Sequence, residues 1–366
     1  MRQQEVRQPQ RMRLVSLLML AGLTALALWM LSRLPDHLVE DLENLPTRAV
    51  THWVPPQGGE LQHLNEQERA ALSDLAAKLS ARIVWSSNRD GNHELYLLDV
   101  GRMQEQRLTD HPNVDFFSRF SPDGERIVFT RSQREWVSFR DNEPWDVYLI
   151  NSDGSGEQLL VRHGYHPTWT ADGEGIVFLR GQEVIQIDIE SGEEAPLFSP
   201  PGDFPGGWFG DPELSPEGAR MAMGIGNYAA SVVNLDTHEV VPLGSEQGCQ
   251  TTWTPAGDSV VWIEARGNGG TRVARTWADG SRGDVLMDLP GPYSHEYFPS
   301  LSDDGRWLVW GAAAEGHEHD RADYEIFVWR IGTPWEEAIR LTYYSGNDQW
   351  PDIHIDPPAM SGSPSS

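Results

Sequence analysis

Ser121-Pro122-Asp123-Gly124, followed by Ile127-Val128-Phe129, is a phrase this chain repeats. It returns as Thr170-Ala171-Asp172-Gly173 before Ile176-Val177-Phe178, and as Ser215-Pro216-Glu217-Gly218 before Met221-Ala222-Met223. Two more copies are Thr254-Pro255-Ala256-Gly257 before Val260-Val261-Trp262, and Ser302-Asp303-Asp304-Gly305 before Leu308-Val309-Trp310. Successive phrases start 49, 45, 39 and 48 residues apart. Proline presets φ for a turn, aspartate bonds back to the local backbone, and glycine accepts positive φ. A short apolar run after such a turn reads as a buried strand, and its recurrence at this period marks a repeat array.

Outward from each phrase the rest of a unit can be read. A third strand follows, such as Leu95-Tyr96-Leu97-Leu98, Val147-Tyr148-Leu149-Ile150 or Ile326-Phe327-Val328-Trp329. A polar turn and a short fourth strand close it, for example Gln158-Leu159-Leu160 or Arg340-Leu341-Thr342. Four strands per unit define a propeller blade, and the count predicts an all-β, six-bladed β-propeller. The first unit starts directly at Ile83-Val84-Trp85, without an opening strand. Trp350-Pro351-Asp352-Ile353-His354 aligns with the opening strands His166-Pro167-Thr168-Trp169, Asp211-Pro212-Glu213-Leu214 and Phe298-Pro299-Ser300-Leu301. The C-terminal strand is therefore expected to join the three N-terminal strands, hiding two sheet edges. Of the 15 tryptophans, Trp85, Trp169, Trp253, Trp262, Trp307, Trp310 and Trp329 fall in predicted strands and read as packing between blades.

The unit running SPDGERIVFTRS to DVYLINSDGSGEQLL, together with IVWSSNRDGNHELYLLD and QRLT, resembles the TolB-type propeller repeat over about Ala81 to Ile355. That resemblance implies an exported protein of assembly or interaction type. Similar repeats form the propeller domains of prolyl-oligopeptidase-type peptidases and of some lyases. No G-x-S-x-G phrase supplies a peptidase nucleophile here. The resembling lyases hold a divalent metal with several histidines. Here His166 is one histidine at the aligned inner-strand position, while Asp211, Gln250 and Phe298 hold the equivalent places.

Leu14 to Leu31 is an uncharged run of 18 residues between Arg13 and Arg33, near the minimum for a membrane-spanning helix. Arg2, Arg7, Arg11 and Arg13 precede it, which places the N-terminus in the cytoplasm and the propeller in the periplasm of a bacterial inner-membrane protein. Cleavage near Ala25-Leu26-Ala27 would release the propeller into the periplasm instead. The expected organisation is a cytoplasmic tail at 1–13, the anchor at 14–31, a linker at 32–80, the propeller at 81–356 and a tail at 357–366. Within the linker, Asn65 and Glu68 form a capping box for an amphipathic helix over about 65–79. Leu64, Ala71, Leu72, Leu75 and Leu79 share one face, expected to pack on the propeller rim.

The formal net charge is −27 and Lys78 is the sole lysine. A surface this acidic disfavours nucleic acid, whose binding draws on Lys and Arg to neutralise phosphate. It suits solubility, external salt, divalent cations or a basic partner. Cys249 cannot form an internal disulfide and reads as a small packed residue beside the fifth opening strand.

In a propeller, the loops leading into the inner strands and those joining second to third strands share one face. The first set carries His111, His163, His166, Asp211, Tyr293, His295, Glu296, Tyr343, Tyr344, Asp348 and Gln349. Of these, with Gln250, the channel-mouth candidates are His166, Asp211, Gln250, His295, Glu296 and Gln349. Two second-to-third loops are long, Arg131 to Pro144 and Gly311 to Tyr324. The partner-binding candidates are Trp136, Phe139, Arg140, Asp141 and Trp145, with Trp208, Tyr293, Tyr343 and Tyr344, because exposed aromatics beside arginine anchor interfaces. No catalytic residue is assigned. His317, His319 and Asp320 are weak metal candidates, so no cofactor is assigned beyond a divalent cation there. The Asn88-Arg89-Asp90-Gly91-Asn92 turn lacks the ligand spacing of a calcium loop.

The expected function is a membrane-tethered propeller that binds an envelope or inner-membrane protein as a scaffold. The alternatives are a metal-dependent lyase or hydrolase acting on a glycan at the channel mouth, or a propeller that binds carbohydrate or a small molecule without chemistry.

Overall fold

The computed structural model describes residues 61–138, 140–141, 145–199, 208–226, 229–244, 247–316 and 318–357. The side chains of Trp208, Phe209 and Ala229 lie outside that description. So do the tail and anchor expected at 1–31, the first part of the linker and most of the C-terminal tail. Among the described residues, no helix is long and apolar enough to cross a membrane.

One helix, α1 (Glu66–Lys78), precedes the strands. The Asn65 side chain accepts from the Glu68 N–H and the Glu68 carboxylate accepts from the Asn65 N–H, the expected capping box. The strands follow in sets. They are β1 (Ala81–Ser87), β2 (Glu94–Asp99) and β3 (Gln104–Arg107); then β4 (Asp115–Phe120), β5 (Arg126–Ser132), β6 (Trp145–Asn151) and β7 (Gln158–Arg162). Next are β8 (Tyr165–Trp169), β9 (Gly175–Arg180), β10 (Glu183–Asp188) and β11 (Glu194–Phe198). The fourth set is β12 (Trp208–Leu214), β13 (Arg220–Gly226), β14 (Ala229–Asn234) and β15 (Val240–Pro242). The fifth is β16 (Gly248–Trp253), β17 (Ser259–Glu264), β18 (Arg272–Trp277) and β19 (Gly283–Met287). The last is β20 (His295–Leu301), β21 (Trp307–Ala313), β22 (Tyr324–Arg330) and β23 (Ile339–Arg340), before β24 (Asp348–Ile355).

These pair into six four-stranded antiparallel sheets, and the first has the order β24-β1-β2-β3. β24 pairs with β1 from Ala81↔Ile355 to Ser87↔Asp348, the expected closure. Arg89 clamps it, bonding Asp348 at 3.2 Å and Glu105 at 2.7 Å while its guanidinium lies over Tyr96 and Tyr344. At the other end Arg82 bonds Asp356 at 2.8 Å. The outer strand expected at Arg340-Leu341-Thr342 ends at Arg340, because Thr342 turns back to give its hydroxyl to the Glu325 carboxylate, as Thr109 does to Glu94 just beyond β3.

The repeated turn works as its residues dictate. The Gly124 N–H donates to the Ser121 carbonyl at 2.8 Å, and Gly124 sits at φ 71°. A Cβ there would also meet the His354 ring at 2.3 Å, so the neighbouring blade adds its own demand for glycine. Tryptophans tie blades together: Trp169 Nε1 donates to the Arg119 carbonyl, and Trp253 Nε1 to that of Glu213, each across a blade boundary. The apolar face of α1 packs on the outside. Leu72, Leu75 and Leu79 join Val100, Val309, Val328, Leu341 and Ile353 in one buried cluster over the first and sixth blades.

Candidate functional site

The central channel is blocked by one side chain from each inner strand. Phe117, His166, Asp211, Gln250, Phe298 and Trp350 all have positive φ, between 50° and 57°. Each sits where its inner strand loses register with the next strand. Left-handed backbone at a non-glycine residue costs about 1–3 kcal/mol, and a bulge re-aims its side chain. Here it turns six side chains toward the axis, where they touch in sequence around the ring. Phe117 meets His166 at 4.0 Å and Trp350 at 4.3 Å between ring centroids, and Trp350 meets Phe298 at 4.6 Å. His166 Nδ1 lies 2.8 Å from Asp211 Oδ1, and the Gln250 N–H donates to Asp211 Oδ2 at 3.2 Å. The Phe298 N–H closes the ring on Gln250 Oε1 at 2.6 Å. Half of this septum is aromatic and half polar.

Below it, a cavity of about 20 Å³ runs between Phe117, Arg119, His166, Asp211, Glu213 and Trp350, room for one water. Burial raises Glu213 to about 7, against the opposing pull of Arg119. Burial also raises Asp352, which accepts from Ser300 at 2.6 Å.

Above the septum the two long loops meet. Ser138 donates to Asp320 at 2.8 Å, and Arg140 lies 3.2 Å from Glu318. The first loop follows β5 of the second blade and the second follows β21 of the sixth, so the pair straddles the first blade. Val137 is buried in the same apolar cluster as Phe117, Phe298 and Trp350, which roofs this side of the mouth. Trp136 is half-buried, with its ring 6.4 Å from His93, and Arg140 is about half exposed. Phe139 and His317 lie outside the described residues.

Other candidates are engaged in packing. Trp145 is 1% exposed and donates to the Asp141 carbonyl. Tyr343 is buried in the cluster under α1, Tyr344 stacks on Arg89, and Tyr293 sits between Phe327 and Arg340. Trp208 opens β12. Asp348 is the partner of Arg89, and His295 is the first residue of β20. Glu296 is fully buried, accepts from the Leu289 N–H at 2.6 Å, and is raised by burial to about 8. His163 and His111 stand on the rim, where the His163 N–H donates to Asp146 and His111 Nδ1 accepts from the Asn113 N–H. Cys249 lies within β16, where burial raises its thiol.

The His319 ring is caged by Tyr297 at 4.2 Å, Phe298 at 5.4 Å and Tyr324 at 5.9 Å, while the Asp320 carboxylate bonds Ser138. Among the described residues, no group of three His, Cys, Asp or Glu side chains is arranged to hold a metal. A groove of about 790 Å³ also runs between α1 and the sixth blade. Its floor is helix packing and its rim pairs Lys78 with Asp74 and Arg306 with Asp304, leaving nothing convergent for a ligand.

Phe117 and Trp350 were not recognised as channel residues from sequence, nor were Ser138 and Asn347. Proline follows four of the six septum positions, His166, Asp211, Phe298 and Trp350, so an X-Pro alignment finds those. Phe117 and Gln250 lack that mark.

The class defined by these observations is a closed six-bladed β-propeller with a plugged channel and a roofed mouth. It is a TolB-like propeller. "Tol-Pal system protein TolB" of Syntrophotalea carbinolica is 33% identical over 63 residues, 17% of this chain and 15% of that protein. "Protein TolB homolog" of Chlorobium chlorochromatii is 28% identical over 115 residues, 26% of each chain, so the matches span about a quarter or less of those relatives. The crystal structure of TolB from Acinetobacter baumannii superposes with a TM-score of 0.56 at 16% identity, covering 75% of this chain and 67% of that one. No protein-family profile matches the chain.

Proposed function

We propose that this chain is a membrane-tethered propeller outside the cytoplasm that binds a protein of the cell envelope through the roofed face of its ring. The observation that supports this reading is the junction of the two long loops over the channel mouth, where Ser138 donates to Asp320 and Arg140 lies beside Glu318, with the half-buried Trp136 on the same loop as Arg140. Half-buried tryptophan beside arginine is anchor chemistry for an interface. The TolB-like fold and the name of the Syntrophotalea relative, a Tol-Pal system protein, support an envelope setting. The segment Leu14–Leu31 supplies the tether and the preceding arginines its orientation.

Full-length chain carrying an affinity tag, extracted from membranes in mild detergent, tests both parts. The intact protein stays with membranes after a salt wash and is released when 14–31 is deleted. It brings down a stoichiometric envelope protein, and Trp136→Ala with Arg140→Glu weakens that capture at least tenfold without lowering Tm by more than a few degrees. Equal capture by the double variant would sink the interface.

The polar arc His166–Asp211–Gln250 facing an aromatic arc favours one second reading, a glycan laid over the septum with its hydroxyls on the polar side. A metal-dependent lyase has less support, since one septum position of six is histidine. Stoichiometric transition metal in the purified chain would revive it.

A further inference from the structure

Asn347 and Gln349 both give their side-chain N–H groups to the carbonyl of His319. Residues two apart on an extended strand share a face, so both amides reach the same point of the blade-six loop. With the nitrogens fixed on that carbonyl, the amide oxygens cannot be exchanged with them. Asn347 is 1% exposed and Gln349 fully buried, yet among the described residues Asn347 Oδ1 and Gln349 Oε1 have no hydrogen-bond donor. The residue after His319 repeats the pattern: Asp320 Oδ2 accepts from Ser138, whereas the buried Asp320 Oδ1 has no donor among the described residues. An unpaired buried acceptor costs about 1–3 kcal/mol, and here three share one corner.

We infer that this corner binds a hard cation of the calcium class through Asn347 Oδ1, Gln349 Oε1 and Asp320 Oδ1. Two amide carbonyls and a carboxylate, with no sulfur or imidazole, form an oxygen donor set that suits calcium and not the transition metals considered for His317 and His319. Glu318 and Asp141 add negative potential at Asp320, opposed by Arg140. The remaining positions fall to water. A single carboxylate makes a weak site, half-saturated at about 0.1–1 mM, the range of extracellular modules. Bound there, the ion would pin the blade-six loop to the closing strand at the spot where that loop meets Ser138.

The test uses the full chain stripped with chelator, then titrated with calcium and separately with terbium, whose luminescence Tyr324 and Trp350 can sensitise. One saturable ion per chain is expected, with a calcium-dependent rise in Tm. Asp320→Asn, a change of charge at nearly constant shape, weakens binding at least tenfold while leaving the Tm in chelator unchanged. Gln349→Met, which also loses the bond to the His319 carbonyl and so lowers the Tm in chelator, weakens binding as well by removing a ligand. A crystal structure in calcium shows oxygen contacts at about 2.3–2.6 Å. Absence of saturable binding, binding unaltered in both variants, or ordered water only at hydrogen-bond distances would each overturn the site.

Discussion

Glu296 shows how much a single buried group can shape the behaviour of this protein. Asp115 and Asp348 lie two positions before septum residues, as Glu296 does, and each has a buried arginine: Arg131 for Asp115 and Arg89 for Asp348. Among the described residues no cation pairs with Glu296; its Oε1 takes the Leu289 N–H and its Oε2 has no partner there. Burial lifts it from 4.5 to about 8. The folded chain therefore holds a proton there that the unfolded chain has released. Its contribution is fully present below pH 4.5 and is lost as pH rises through about 8. Glu94 and Glu213, both lifted by burial to about 7, and Glu325, lifted to about 9, push the same way. Stability is thus expected to fall between pH 5 and pH 8. Glu296→Gln keeps an acceptor for Leu289 and removes the titration. Urea unfolding at both pH values should show the variant gaining on the order of a few kcal/mol at pH 8 relative to wild type, and little at pH 5. An equal effect at both would mean Glu296 is ionised in the fold.

At the scale of elements, the closing strand and its clamp dominate. The Arg89 guanidinium is almost wholly buried between Asp348 and Glu105 and covers Trp85, Tyr96 and Tyr344. Removing one partner of a buried pair leaves an uncompensated charge, at a cost of about 3–5 kcal/mol. Arg89→Met should lower stability by that amount in urea unfolding, and Asp348→Asn in the same background should recover part of it. Independent effects would show that the clamp is not a pair. The strands, the capped helix and the closure were legible because each depends on local chemistry: a turn phrase, a short apolar run, an Asn-x-x-Glu cap. The septum was partly legible: an X-Pro step marks four of its positions and alignment with them places Gln250, while left-handed φ at Phe117 has no local signature. The meeting of Ser138 with Asp320 was illegible. It joins residues 182 apart through loops whose path depends on the ring beneath them.

For the molecule as a whole, the chain ends decide how the ring is held. In the other five blades all four strands are contiguous; only the first is assembled from both ends. Ala81 faces Ile355, and the Asp356 N–H donates to the Ser80 carbonyl at 3.1 Å, so the two segments meet as neighbouring hairpin arms do. A short turn joining 356 to 80 would therefore make β24 and β1 an ordinary hairpin, with new ends opened between β3 and β4 at 110–114. Every hydrogen-bonded ladder survives this permutation, but the α1 cover over the first and sixth blades must then be supplied at the new junction or lost. More important, no strand from the far end of the sequence then staples the first blade, and the boundary between the first and second blades is held by side chains and the Asp115 N–H bond to the His93 carbonyl. Such contacts include Arg82 with Gly124 and Ser152. The permutant should fold with the same far-ultraviolet circular dichroism, because loop closure costs change only slowly with connectivity. It should melt well below the native chain and unfold faster, since opening one seam no longer requires breaking a strand pair. If the permutant matched the native Tm and unfolding rate, the seam would already be held by packing, and the reason for closing the ring with the C-terminal strand would lie in folding order and not in stability.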